Sequence, residues 1–347
     1  MADKEFDTEF PDLKLLTIDS SSLEDEAGPR IMVDENVIAK LPAGSHSVYA
    51  RSHGSSMWTQ TARVETTQAD ETQKSYFLKA GFYTSTHVAS GDLGLGMVEG
   101  EFESMKSIHD VLEDFCPKPL AWGTFKSNPD LHFFLCDFRE MDQDIPEMDR
   151  FTSMLAEFHS TSSARSPNGH FGNHCTTYNG NLAQDNSWTD SWEEYFKDNI
   201  VRMLQLEEEA RGPSPELKQL AGPFLEKVIP RLLRPLETQG NILKPCLIHG
   251  DLWYGNTSTD LDTGEPITFD ASSFWDHNEY EVRTMRPAGV QFGRAYLKAY
   301  HARYPISPPE EDHEDRLALY AILVEQMRLL ADKYPDGYGE PISKASL

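Results

Sequence analysis

The segment His249–Asn256 constrains the fold and chemistry of this chain more than any other. It follows a short apolar run and places Asp251 five positions before Asn256. A loop that leaves a strand can hold a carboxylate at hydrogen-bond distance from a hydroxyl group, where it takes up the proton. The amide oxygen of an asparagine is a hard ligand that suits magnesium. The spacing therefore predicts a site for phosphate chemistry on a loop after a strand.

A second carboxylate, Asp270, follows the apolar stretch Ile267–Phe269, fourteen positions after Asn256. The residues between Asn256 and Asp270 predict a β-hairpin, which returns its two ends to one place. We therefore expect Asn256 and Asp270 to bind the same Mg²⁺ site. Asp251 taken alone could be an ordinary turn residue. Together with Asn256 and Asp270 at this spacing, Asp251 predicts a kinase-like phosphotransferase that uses ATP and Mg²⁺, with Asp251 as the catalytic base.

Strand patterns early in the chain predict a nucleotide-binding sheet. Strands are predicted at Ser47–Arg51, Met57–Thr66 and Tyr76–Ala80, with a tight turn at Ser52–Ser56. Lys79 lies near the end of the third strand, where we expect it to neutralise the α- and β-phosphates of ATP. The alternative is an ordinary surface lysine on a strand.

Two further residues are candidates for the nucleotide side. Glu101 begins a predicted helix with apolar residues at helical spacing, and it is the expected partner of the strand lysine. Glu99 and Glu103 are close rivals. Gly54 is the one glycine of the predicted small-residue turn. It either lays backbone N–H groups over the phosphates or belongs to a plain hairpin turn.

The chain passes from strand patterns to mainly helical patterns, which predicts an α+β fold with two lobes. We expect an acidic N-terminal arm at 1–30, a small β-rich nucleotide-binding lobe at 31–140, and a larger helical catalytic and substrate-binding lobe at 141–347. The glycine-rich stretch 85–100 is predicted to be a flexible connection. Helices are predicted at 31–40, 101–115, 148–160, 188–209, 214–236, 289–303 and 312–333.

The charge balance limits the partners. There are 31 basic and 57 acidic residues, and 31 − 57 gives a net charge of −26. Because this field repels polyanions, we expect neither nucleic acid nor a membrane as a partner, and an ATP site must be locally positive or rely on metal. The chain contains no long apolar run and no apolar signal core, and its four cysteines form no C-x-x-C pair. These features favour a cytoplasmic protein.

Other catalytic machinery has no counterpart in the sequence. A Gly-Lys dipeptide does not occur, so no P-loop is predicted. G-x-S-x-G and H-E-x-x-H are also missing, so neither acyl transfer nor zinc hydrolysis is supported.

At this point the chain resembles a known family, the fructosamine kinases or ketosamine-3-kinases, within the aminoglycoside-phosphotransferase-like branch of the protein-kinase-like fold. The resemblance extends from about Ser47 to Lys333. Its most specific part is His-Gly-Asp-Leu-Trp-x-Gly-Asn at His249–Asn256. Further matches are Tyr76–Lys79, Met97–Glu101, Gly172–Trp192, Phe269–Phe274 and His277–Glu281.

The resemblance implies ATP- and magnesium-dependent phosphorylation of the sugar 3-hydroxyl in ribulosamine or fructosamine adducts of amines or protein lysines, which leads to deglycation. Asp251 would be the base, and Asn256 and Asp270 would be the metal ligands. Lys79, Glu101 and Gly54 would bind ATP. Trp253 would pack on the sugar, because an aromatic face suits the apolar C–H side of a sugar, and His249 would lie on the substrate side. A core tryptophan is the alternative for Trp253.

The chain departs from the family pattern next to the metal site. The family carries Asp-Pro-Ala where this chain has Asp270-Ala271-Ser272, and its acidic-Leu-Ala continuation is replaced by Glu281-Val282-Arg283. These changes remove no predicted ligand, but they leave the substrate open. The alternatives are a kinase of the same fold for another alcohol, such as an aminoglycoside, choline or a metabolite, and a pseudokinase with no turnover.

Overall fold

The computed structural model describes residues 30–55, 59–80, 91–287 and 291–321, together with single positions at 327, 330, 333, 334 and 337. The predicted acidic arm at 1–30 therefore lies almost wholly outside the described residues. The chain divides into two compact units. One contains the described residues up to Glu99 with Leu120–Phe138, and the other contains Gly100–Pro119 with the described residues from Arg139 onward.

The first unit is built on a five-stranded sheet in the order β1-β2-β3-β5-β4. Alternate residues of β2 and β3, such as Ala62, Val64, Tyr76 and Leu78, are buried in one apolar cluster. This alternation is what a strand with one buried face requires. The strands are β1 (His46–Ser55), β2 (Gln60–Thr67), β3 (Gln73–Ala80), β4 (Pro119–Thr124) and β5 (His132–Asp137).

The predicted turn at Ser52–Ser56 is wrong for its described part. Strand β1 continues through Ser55, and Gly54 pairs with Thr61 of β2 next to a register irregularity. Gly54 has φ +130°, so a glycine there marks a bulge in a strand and no turn. The serine and glycine residues here are typical of a turn, but the hydrogen-bonded pairing of β1 with β2 keeps the segment extended.

Helix α1 spans only Glu35–Ile38, begins after the N-cap Asp34, and is shorter than the predicted helix at 31–40. Helix α2 spans Gly91–Val111. The prediction of a flexible stretch is therefore wrong from Gly91 onward, because that part is helical. Glycine lowers helix propensity, but close packing can require it. A Cβ atom at Gly100 would lie 2.7 Å from the carbonyl oxygen of Thr176.

The second unit is mainly helical, with short strand pairs that support loops. The predicted single helix at 214–236 is interrupted: α5 ends at Pro223, a π-helical turn follows, and α6 is short. Proline lacks the N–H that an interior helical position needs. The helices are α3 (Met148–Ser163), α4 (Trp192–Arg211), α5 (Pro215–Pro223), α6 (Ile229–Leu233), α7 (Asn278–Glu281), α8 (Arg294–His301) and α9 (His313–Tyr320).

The strands of this unit form antiparallel pairs. Strand β8 precedes the loop with Asp251 and pairs with β11, and β9–β10 forms the hairpin that follows the loop. A buried aromatic core around Trp192 packs beneath the first pair. No helix among the described residues is long and apolar enough to cross a membrane. The strands are β6 (Tyr178–Asn179), β7 (Leu182–Ala183), β8 (Cys246–Ile248), β9 (Thr257–Thr259), β10 (Pro266–Thr268) and β11 (Phe274–Asp276).

Candidate active site

The loop that carries Asp251 leaves β8 through Gly250. Gly250 has φ +87°, and a Cβ atom there would lie 2.2 Å from the carbonyl oxygen of Ser272. Only glycine fits such a contact. Ser272 in turn donates its N–H to the carbonyl oxygen of His249 at 2.9 Å. The Ala271-Ser272 segment, which differs from the family pattern, is therefore hydrogen-bonded directly to this loop.

Asp251 and Asn256 are in direct contact. The side-chain Nδ2 of Asn256 donates to the backbone oxygen of Asp251 at 2.9 Å and to its carboxylate Oδ2 at 3.1 Å. Asn256 is buried at the end of a short 3₁₀ turn that begins at Tyr254, while Asp251 is half-buried. The five-residue spacing thus fixes the orientation of the carboxylate.

The predicted hairpin between Asn256 and Asp270 is confirmed. Thr257 pairs with Thr268, and Phe269 donates its N–H to the carbonyl oxygen of Asn256 at 3.1 Å. Asp270 follows directly, exposed and with φ +59°. Among non-glycine residues, aspartate and asparagine adopt this left-handed conformation most readily.

The residues present fit a magnesium ion by their chemistry. With its nitrogen bound to Asp251, Asn256 keeps its Oδ1 without a hydrogen-bond donor among the described residues. The hairpin brings the carboxylate of Asp270 to the same end. An amide oxygen and a carboxylate are ligands that Mg²⁺ prefers. Within the described ranges, no cluster of three His, Cys, Asp or Glu residues forms a metal site.

Glu281 supports the loop from inside the protein. Its carboxylate is fully buried and accepts the backbone N–H groups of His249, through a very short contact, and of Gly250 at 3.3 Å. The Nε2 atom of His159 lies 3.9 Å from the same carboxylate. Burial opposes ionisation of Glu281, but the contact with His159, the imidazole of His249 and the backbone N–H outweigh it and lower the pKa of Glu281.

His249 supports the loop as well, and its predicted position on the substrate side is revised. The imidazole is fully buried, its Nε2 lies 2.9 Å from the carbonyl oxygen of Phe269, and its Nδ1 lies 3.4 Å from the backbone nitrogen of Asp251. A ring with no exposed surface cannot touch a substrate. Burial lowers the pKa of His249, which favours the neutral ring.

Asp251 has the opposite electrostatic environment to Glu281. Burial raises its pKa, and the nearby His249, the hydrogen bond from Asn256 and the positive charge of Arg283 offset this only in part. A raised pKa means that the carboxylate binds a proton more strongly. This is a suitable balance for a group that accepts a hydroxyl proton.

Two aromatic side chains are exposed next to the base. Trp253 and Tyr254 are 41% and 43% exposed, and their rings meet edge to face with centroids 4.8 Å apart. A Cβ atom at Gly255 would lie 2.4 Å from the Trp253 ring, so the absence of a side chain there allows the ring to rest on the backbone. Trp253 is therefore a surface residue and has no place in the core.

The predicted nucleotide-side residues lie in regular elements. Lys79 is half-buried on β3, opposite Thr61 and Phe134 in the sheet register. Glu101 is half-buried in the middle of α2, ten residues after the helix begins at Gly91, so the prediction that a helix begins at Glu101 is wrong. Gly54 lies within β1. The roles of Lys79, Glu101 and Gly54 in binding ATP stay predictions.

Sequence reasoning did not identify the support of the loop. The sequence indicates Glu281 only as part of a family segment, and it gives no indication of His159. Glu281 lies 32 residues after His249, and nothing local in the sequence connects the two. The one available signal is the alternation of Glu279 and Glu281 with the apolar residues Tyr280 and Val282, because a buried carboxylate requires a partner.

The chain is similar to known proteins. The family model described as fructosamine kinase matches residues 47–345. A rice (Oryza sativa subsp. indica) protein named protein-ribulosamine 3-kinase, chloroplastic, is 30% identical over 243 residues, which cover 70% of this chain and 66% of the rice protein. The chain thus spans just under two thirds of the length of that relative.

Solved structures share the fold. A Thermobifida fusca protein described as a candidate fructosamine-3-kinase superposes with a TM-score of 0.63 at 20% identity, covering 87% of this chain and 100% of that one. The aminoglycoside phosphotransferase APH(4)-Ia, in a complex with ADP and hygromycin B, gives a TM-score of 0.51 at 16% identity and covers 87% and 94% of the two chains. The predicted α+β, protein-kinase-like fold is confirmed.

Proposed function

Because the chain belongs to the fructosamine kinase family, we propose that it is an ATP-dependent kinase that phosphorylates the sugar 3-hydroxyl of ketosamines. The acceptor class is ribulosamine or fructosamine adducts of amines, including those on protein lysines. The observation that carries the proposal is the contact of Asn256 with the carboxylate of Asp251, at the base of a hairpin that ends in Asp270. The name of the rice relative supports the sugar-amine class.

In the proposed reaction, the carboxylate of Asp251 accepts the proton of the sugar hydroxyl. The hydroxyl oxygen then forms a bond to the γ-phosphorus of ATP, the bond between this phosphorus and the bridging oxygen breaks, and ADP leaves. Asn256 holds the carboxylate in place, while Glu281 and His249 fix the backbone on which Asp251 stands. Mg²⁺ held by Asn256 and Asp270 would neutralise phosphate charge when bound.

ATP as the phosphate donor is supported by the family and by the ADP complex of the structural neighbour. Lys79 and Glu101 are proposed to bind the phosphates, with Gly54 nearby on the sheet, and the lobes are proposed to lie at 31–140 and 141–347. Trp253 is proposed to pack on the sugar, since its exposed ring is fixed on Gly255.

We also propose a cytoplasmic location. All four cysteines are free thiols, which is typical of a reducing compartment. The chloroplast location in the name of the rice relative is a property of that protein.

The test is ATP consumption with Mg²⁺ and a panel of acceptors: ribulose-lysine, fructose-lysine, choline and an aminoglycoside. We expect turnover of one or both sugar-amines. Turnover of choline or the aminoglycoside alone would reject the ketosamine acceptor, while Mg-ATP binding without turnover of any acceptor would indicate a pseudokinase.

A further inference from the structure

The segment after α7 lies alongside the catalytic loop and introduces one charged residue there. Glu281 binds the loop at His249 and Gly250, and the Thr284 hydroxyl donates to the carbonyl oxygen of Leu252 at 2.8 Å. Arg283 lies between these two attachment points. It is therefore held beside the residues that flank Asp251 in the chain.

The guanidinium of Arg283 is fixed in position. It lies 3.9 Å from the centroid of the Tyr280 ring, and its Nη1 donates to the carbonyl oxygen of Tyr280 at 2.6 Å. Stacking on an aromatic ring holds the planar fork while leaving its other N–H donors available. Its positive charge reaches Asp251, where it is among the influences that lower the pKa against burial.

Arg283 differs in its partners from Arg286, the other arginine of this segment. Arg286 lies 3.7 Å from Glu314, but no described carboxylate lies within 4.0 Å of Arg283. Arg283 therefore forms no direct ion pair with a described residue, although its positive charge acts on the buried Asp276 as well as on Asp251. An anionic group of a ligand bound beside Asp251 would pair directly with the free N–H donors of this guanidinium.

We propose that Arg283 binds a carboxylate on the amine part of the substrate, which makes ketosamines of free amino acids the preferred acceptors. This rests on the proposed function and narrows its acceptor class. An adduct on an α-amino group carries a carboxylate close to the sugar, whereas an adduct on a protein lysine side chain does not. A planar guanidinium and a carboxylate can pair through two parallel hydrogen bonds.

The experiment compares the ribulosamine of glycine with that of glycinamide, which differ only in the carboxylate. We expect wild type to phosphorylate the glycine adduct with a kcat/KM about tenfold higher, mainly through a lower KM. Arg283→Met should reduce this ratio to about one, because it weakens the glycine adduct much more than the glycinamide adduct. Arg286→Met is the matched control, because it removes the same charge from the same segment and should keep the wild-type ratio.

Three results would overturn the assignment: a wild-type ratio near one, an unchanged ratio in Arg283→Met, or an equal loss on both adducts, which would indicate a structural role. A rise in the KM for ATP alone would assign Arg283 to the nucleotide phosphates and also reject it. Calorimetric binding of both adducts is measured on the same samples. If wild type turns over neither adduct, the proposed function fails, and the ratio of the two Kd values still decides on Arg283.

Discussion

Asp251 is part of the catalytic loop and Glu281 supports the same loop from inside, but the pKa values of the two carboxyl groups are shifted in opposite directions. Glu281 is fully buried, and neighbouring N–H groups and imidazoles lower its pKa. Asp251 is half-buried, and burial raises its pKa with only partial compensation. The ionised form of Glu281 therefore contributes to the stability of the fold, whereas the ionised form of Asp251 reduces it. A protein can keep such an unfavourable charge where the chemistry needs a base.

The replacement of each carboxylate by its amide tests this contrast. Asp251→Asn should reduce kcat by about 100- to 10,000-fold, because the amide cannot accept the hydroxyl proton. Its melting temperature at pH 7 should equal or exceed that of wild type, because an unfavourable charge is removed. Turnover and thermal unfolding are measured together. Wild-type turnover would refute Asp251 as the base, and a large drop in melting temperature would refute the contrast.

Glu281→Gln should have the opposite effect on stability. The amide group would face the N–H groups of His249 and Gly250 with only one acceptor oxygen, so the free energy of unfolding should fall by about 1–3 kcal/mol. Urea unfolding at pH 7 measures this loss, and kcat should also decrease because the loop loses its support. Glu237→Gln, which disrupts contacts at the start of α4 away from the loop, is a control for the loss of kcat. A Glu281→Gln variant as stable as wild type would contradict a supporting role.

The pH dependences of activity and of stability should distinguish Asp251 from Glu281. Protonation of Asp251 should abolish activity as the pH falls through a value above its ordinary 3.8. The folded-state pKa of Glu281 lies below its ordinary 4.5, so its stability contribution is present above 4.5 and is lost as the pH falls through that lower value. Activity should therefore decline before circular dichroism detects unfolding. Coincident declines would contradict separate roles.

The smallest expected effect concerns the exposed aromatic pair. Gly255→Ala places a Cβ atom against the Trp253 ring and should displace it, raising the KM for the sugar-amine by about three- to tenfold with little change in stability. Initial rates at varied acceptor concentration measure the KM. Gly222→Ala is the matched control, since a Cβ atom at that position would meet no atom within 4 Å apart from its chain neighbours and the backbone of its own helix. An unchanged KM in Gly255→Ala would remove Trp253 from the substrate site.

The sequence predicted best what depends on neighbours in the chain. The spacing of Asp251 and Asn256 and the hairpin that leads to Asp270 are local features, and the geometry agrees with both. The turn predicted at Gly54 was wrong because the pairing of Gly54 with Thr61 on another strand outweighs the local preference of these residues for a turn.

Contacts between distant segments were not predictable in the same way. The glycine-rich start of α2 is helical although glycine lowers helix propensity, and the close approach of Gly100 to Thr176 joins segments far apart in the chain. The support of the loop by Glu281 and His159 joins residues far apart in the chain. No periodicity or spacing rule connects such residues before the fold is known.

The most direct test of phosphate transfer at Asp251 is ³¹P NMR of wild type and Asp251→Asn incubated with Mg-ATP and a ribulosamine. We predict that wild type yields ADP and a phosphate ester coupled to the proton on carbon 3 of the sugar, and that Asp251→Asn yields no such ester in the same time. An ester formed at the same rate by both proteins, or ATP consumed to free phosphate alone, would contradict the assignment.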